Sequence, residues 1–160
     1  MKKLNLGCGN EYKIDYINVD IRDDVLVDLQ WDLENFPYPW TDNFIDEIFI
    51  SHTIEHIPYQ KQDKMMREFF RILKSEGKLI IICPDIQYLF EHYVYGDGSS
   101  GEFEHPHFML EHFIFGGQDY EHNFHKAGYT PTTMRIRLER AGFKNIKIEK
   151  GMHVEGFKND

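Results

Sequence analysis

Lys3-Leu4-Asn5-Leu6-Gly7-Cys8-Gly9-Asn10, followed by Tyr16-Ile17-Asn18-Val19-Asp20, is the stretch on which the fold turns. An apolar run ending in Gly-x-Gly and a second apolar run ending in an aspartate are how a nucleoside-binding α/β domain opens. Glycine at positions 7 and 9 lets backbone approach a ligand that a Cβ would push away. Asp20, at the carboxyl end of the second strand, can accept hydrogen bonds from both hydroxyls of a ribose.

Outward from this opening, Val25–Leu29 is a third strand candidate by its β-branched bias, and Glu47–Ile50 is the fourth. Between Pro58 and Ser75 the apolar residues Met65, Met66, Phe69, Phe70, Ile72 and Leu73 recur at helical spacing, which predicts an amphipathic helix closed by Gly77. Lys78–Cys83 is a continuous apolar run, as in a central parallel strand covered on both faces. Thr130-Pro131 predicts a capped helix start, with Met134, Leu138 and Ala141 on one face and Gly142 at the end. Lys144–Glu149 alternates like a half-exposed antiparallel strand, and residues 151–158 are its short partner.

Two segments do not fit a regular alternation. Only Asn10–Asp15 separates the first two strands, too little for a full crossover helix. Asp85–Tyr129 shows no period, is rich in aromatic residues, and holds most of the histidines and a Gly-rich turn at Gly96–Gly101. Such an insertion is expected to act as a lid.

The chain has 160 residues and reads as one domain over 1–160, with 41% hydrophobic and 28% charged residues, inside the globular range. A formal charge of −9 disfavours nucleic acid and anionic membrane as partners. No run reaches spanning length. Cys8 and Cys83 lack metal spacing and predict reduced thiols, hence a cytoplasmic location.

The ordered series of Leu4–Gly9, Asn18–Asp20, Asp32–Tyr38, Asp42–Asp46, Ser51–His56, Arg71–Gly77 and Ala141–Phe143 resembles class I S-adenosylmethionine-dependent methyltransferases, closest to their small type-11-like group. The resemblance implies a doubly wound, Rossmann-like, mainly parallel sheet with an antiparallel C-terminal strand. The first crossover helix usual in the family is shortened or absent here. It also implies S-adenosylmethionine as cofactor, with Leu6, Gly7, Cys8, Gly9, Asp20, Ile21, Asp32, Leu33, Ser51 and His52 as the binding residues. Asp32 is placed at the adenine amino group on spacing, with Asp28 as the alternative. The implied reaction is methyl transfer to a small-molecule acceptor.

A base for that transfer is sought among His125, His52 and His56, since imidazole is poised near neutral pH. Glu55-His56 could equally hold its loop by hydrogen bonds, and its sequence spacing carries no metal-ligand pattern. No metal ligands are assigned. Two other readings compete: a noncatalytic cofactor- or partner-binding relative, suggested by the missing helix, and a metal protein ligated through His105, His107 and His112 or through His122 and His125. The uncovered first strands further predict either lid aromatics folded across them or a homodimer.

Overall fold

In the computed structural model, which describes residues 1–96 and 106–159, seven strands form one sheet in the order β3-β2-β1-β4-β5-β7-β6. They are β1 (Lys3–Leu6), β2 (Ile17–Asp20), β3 (Leu29–Gln30), β4 (Ile45–Ser51), β5 (Leu73–Ile82), β6 (Lys144–Glu149) and β7 (His153–Phe157). The first five run parallel, and β7 enters antiparallel between β5 and β6. The chain thus winds outward in both directions from β1 and β4, the switch point at which open α/β sheets bind ligands.

Leu4, Leu6, Val19, Ile48, Ile50, Leu79, Ile81 and Val154 share one face by register, each at most 1% exposed. Two helices cover that face. In α1 (Gln62–Ile72), Met65, Met66, Phe69 and Ile72 point inward. In α4 (Pro131–Ala141), Met134 and Leu138 do the same. Thr130 and Thr133 cap α4 reciprocally, and Gly142 ends it at φ 110°, with the Phe70 ring 2.8 Å from where a Cβ would stand.

The opposite face differs from the expectation for a strand covered on both sides. Register puts Lys3, Glu47, Lys78 and Phe157 on one rung there and Asn5, Phe49, Ile80 and Glu155 on the next. All but Asn5 remain partly exposed. Cations shield the aromatic surface instead of a helix: Lys13 lies 4.4 Å from the Phe49 ring centre and Lys3 5.1 Å from that of Tyr16. Lys3–Glu47 at 3.3 Å and Lys78–Glu155 pair across neighbouring strands.

The link between β1 and β2 has no helix, as its length predicts. Two buried amides hold it down. Asn5 Nδ2 donates to Glu11 O and to Asn18 Oδ1, both at 2.9 Å, and Asn18 Nδ2 donates to the carbonyls of Lys13 and Tyr16, also at 2.9 Å.

Three other elements depart from the sequence reading. The third strand is Leu29–Gln30 rather than Val25–Leu29, because Leu26 faces solvent and the Asp28 carboxylate takes the Asn18 N–H at 2.8 Å, leaving 25–28 outside the ladder. The α1 helix stops at Ile72. Leu73 turns extended and buries completely, so β5 starts there, and an irregularity carrying Glu76 at positive φ brings Gly77 into the strand rather than to a helix end. The insertion 85–129 is not irregular throughout. It contains α2 (Ile86–Tyr93), capped by Asp85, and α3 (Pro106–Phe115), which share a small core of Leu89, Tyr93 and Met109. Aromatic and histidine residues on every side of these helices hide their period. The insertion's ends meet, with the Ile86 N–H 2.9 Å from Tyr129 O, so it leaves and rejoins the domain at one point. His105, the side chain of His107, Phe103 and the glycines of the predicted turn beyond Gly96 lie outside the described residues.

Candidate functional site

At the carboxyl ends of β1, β2 and β4 lies a cleft lined by Gly7, Gly9, Asp20, Ile21, Asp32, Leu33 and His52, all of which the sequence places at a cofactor. Asp20 anchors it. One carboxylate oxygen accepts the Gly9 N–H at 2.8 Å and the other the Arg22 N–H at 3.0 Å, with the residue 7% exposed. The side chain therefore ties the glycine loop to the end of β2 and still has lone pairs to offer, since a carboxylate has about four acceptor sites.

The two glycines serve different ends. A Cβ on Gly7 would stand 2.2 Å from Thr53 Oγ1, so this glycine allows the β1 loop to press against the end of β4. Thr53 Oγ1 donates to Gly7 O there at 3.2 Å. Gly9, at φ 49°, has no atom within 4 Å of its missing Cβ and leaves bare backbone at the cleft.

The structure does not bring Leu6, Cys8 or Ser51 to the cleft lining. Leu6 is core. Cys8 points inward, and burial, helped by the Asp20 charge, pushes its thiol up to about 11. The backbone N–H groups of Gly7 and Cys8 both go to Val19 O. Asp28 is away from the lining too, its carboxylate taking the Asn18 N–H and, at 2.9 Å, the Tyr12 hydroxyl, whereas Asp32 lines the cleft and accepts the Glu34 N–H at 2.8 Å.

Of the three histidines considered for base chemistry, His52 and His56 line the cleft and His125 stands behind His56, their rings 4.7 Å apart and edge-on. His52 has φ 48°, a strained conformation for a non-glycine residue that here aims it from the end of β4. Glu55 beside it raises its pKa, although 3.6 Å between Nδ1 and Oε1 is an ion-pair separation rather than a hydrogen bond. Burial lowers that of His56. Glu55 and His56 do hold a loop: Glu55 O accepts the N–H groups of Lys126 and Ala127, and His56 Nδ1 sits 3.2 Å from Phe124 O.

Sequence reasoning missed the part of the site contributed by the returning end of the insertion. Tyr120, His122 and Lys126 line the cleft, with Arg22 stacked 5.2 Å from the Tyr120 ring centre. Lys126 and Lys61 both bind Glu34, at 2.9 and 2.8 Å. These hydrogen bonds outweigh the effect of burial and hold the Glu34 carboxyl below its ordinary range. No local spacing links Glu34 to a lysine so far along the chain.

Residues 4–81 match the family described as methyltransferase domain. Among solved structures, the fold is similar to a SAM-dependent methyltransferase from Archaeoglobus fulgidus, at TM-score 0.62 and 20% identity over 92% of this chain and 63% of that one, so this chain spans under two thirds of that protein's length. A SAM-dependent methyltransferase from Thermotoga maritima gives TM-score 0.61 and 17% identity, over 99% of this chain and 82% of its own. Human N-acetylserotonin methyltransferase in complex with SAM gives 0.62 and 13%, over 99% of this chain and 47% of its own. No curated protein matches the sequence.

Proposed function

We propose that this protein transfers a methyl group from S-adenosylmethionine to a small-molecule acceptor: residues 4–81 match the methyltransferase-domain family, and the fold of the sheet is shared with solved S-adenosylmethionine-dependent methyltransferases. The observation that carries the reading is Asp20, a buried carboxylate at the end of β2 that bridges Gly9 and Arg22 beside bare glycine backbone. The residues present fit the cofactor. Asp20 suits the ribose hydroxyls, and Asp32 with Leu33 and Ile21 suits the adenine end, where a polar edge and an apolar face are both needed.

Bound S-adenosylmethionine supplies an already activated methyl group, so the chain's task is chiefly to position two reactants and exclude water. His52 and His56 stand at the end of β4 where an acceptor hydroxyl or amine would lose its proton, and His52 keeps an acidic neighbour to orient it. Calorimetry with S-adenosylmethionine, followed by a panel of oxygen and nitrogen acceptors scored for S-adenosylhomocysteine release, tests the reading. Absence of binding refutes it. Binding without turnover on any acceptor supports the noncatalytic relative, which the helix-free β1–β2 link favours.

The insertion 85–129 acts as a lid in this reading. Its returning segment already contributes Tyr120 and Lys126 to the cleft, and both are tied to residues of the opposite wall. Amide hydrogen exchange in 118–126 is expected to slow by at least about tenfold when cofactor and acceptor bind, while β1 and β4 change little. Equal protection with and without ligands removes the lid.

We also infer a homodimer across the partly exposed face that carries Phe49, Ile80 and Phe157. A two-fold contact there would bury half-exposed aromatic surface that no helix covers among the described residues, and pair its alternating lysines and glutamates with their symmetry mates. Light scattering at micromolar concentration should give twice the chain mass; one chain mass, constant on concentration, removes the dimer.

A further inference from the structure

Glu55, His56 and His125 form a cluster beside the cleft; of these only His56 enters the proposed transfer, and with His56 engaged in the cluster His52 remains as the base. Each offers a ligand atom within 4.8 Å of the others. Glu55 is 1% exposed, and neither of its carboxylate oxygens has a hydrogen-bond partner; His52 Nδ1 stands 3.6 Å from Oε1. A buried carboxylate left this way is costly and calls for a cation.

The two imidazoles are arranged to receive the same cation. His56 Nδ1 lies 3.2 Å from Phe124 O and His125 Nδ1 2.8 Å from Phe113 O. A carbonyl only accepts, so each Nδ1 carries a proton, and in the neutral ring it is Nε2 that offers a lone pair. Metal-ligating histidines are held in this way, with the far ring N–H donated to a carbonyl or carboxylate. The backbone fixes the three residues together, because Glu55 O takes the N–H groups of Lys126 and Ala127, immediately after His125.

We propose that Glu55, His56 and His125 bind a divalent transition ion of the Zn²⁺ class through one carboxylate oxygen and two Nε2 atoms. Two imidazoles and one carboxylate are a borderline-soft donor set that leaves further coordination positions for water or an oxygen ligand. Metal bonds of about 2.0–2.2 Å require the three side chains to draw closer than the 4.8 Å within which their ligand atoms now lie. Rotation about the Glu55 side chain and small ring movements supply that. His56 also lines the cleft, so the ion adjoins it; resting on the methyltransferase reading, this favours acceptors that present a hydroxyl or carboxylate oxygen. The assignment shares only His125 with the ligand sets suggested by sequence spacing.

The test uses the full chain free of metal and cofactor, titrated with Co²⁺ and then Zn²⁺. The expected result is one Co²⁺ per chain with intense visible ligand-field bands, displaced by Zn²⁺, and two hyperfine-shifted exchangeable proton signals from the two Nδ1–H groups. Glu55→Gln and His125→Ala should each weaken binding on the order of 100-fold or more, and His153→Ala, on the exposed sheet face, should not. Wild-type protein without ligand-field bands or shifted signals overturns the site, as does wild-type affinity in both Glu55→Gln and His125→Ala. The wild-type spectra decide the matter should a variant fail to fold. Calorimetry of S-adenosylmethionine on the metal-free protein is read separately, so failure of the metal site and failure of the methyltransferase reading give different results.

Discussion

Asp20→Ala should reduce affinity for S-adenosylmethionine on the order of 10²–10⁴-fold in titration calorimetry, the largest loss of any single substitution in the cleft. Each hydrogen bond from a ribose hydroxyl to the charged carboxylate is worth about 1.5–3 kcal/mol. Two of them give roughly 3–6 kcal/mol, and each 1.4 kcal/mol is about tenfold in affinity. The loss has a second source: without the carboxylate, the Gly9 and Arg22 N–H groups lose their acceptor, and the loop that presents bare backbone is released. Asp20→Asn separates the two sources. It can accept one N–H but turns an amide donor toward the other, so an intermediate affinity shows that preorganisation of the loop matters beyond the charge. Affinity unchanged in Asp20→Ala would mean that the cofactor, if bound, sits elsewhere.

Asp20 was legible in the sequence because both halves of its role are local: a glycine pair at the end of one strand and an acid at the end of the next, eleven residues after Gly9. The strands β1, β2 and β4 were legible for the same reason, each apolar run being bounded by its own turn residues. What escaped is contact between distant segments. Nothing near Gly7 says that Thr53 needs the space of its Cβ, and nothing near Glu55-His56 announces His125, since the two are joined only when the insertion returns along the loop after β4. The α2 and α3 helices escaped for a different reason. They pack on each other through Leu89, Tyr93 and Met109 while carrying aromatic residues on their other sides, so no single apolar stripe marks them. The boundary of α1 was misplaced because the amphipathic pattern continues to Leu73, whose burial is satisfied equally well in an extended conformation.

Asn18→Ala should destabilise the fold by about 2–4 kcal/mol, the sum expected when a buried, fully used amide is deleted from a network. Asn18 is wholly buried, and its side chain does the holding that a crossover helix would otherwise make unnecessary. Its Oδ1 accepts from Asn5 Nδ2 and from the Lys13 N–H, both at 2.9 Å, and its Nδ2 donates to Lys13 O, Tyr16 O and the Asp28 carboxylate. Alanine leaves the Lys13 N–H and one of the two Asn5 amide N–H groups without an acceptor beneath the link, takes a donor from the Lys13 and Tyr16 carbonyls, and opens a polar gap that water fills only in part. Asn18→Asp is isosteric and yet no rescue: it cannot donate to the two carbonyls, and it sets a second carboxylate against Asp28. Both variants should therefore melt roughly 4–16 °C below wild type, at 2–4 °C per kcal/mol for a domain of this size, with Asn18→Asp the worse at neutral pH. Denaturant titration followed by circular dichroism measures the difference. The link also carries the loop that Asp20 holds, so the same variants should weaken S-adenosylmethionine binding even below their melting temperatures. Wild-type stability in Asn18→Ala would show that the link rests on the sheet by its backbone alone.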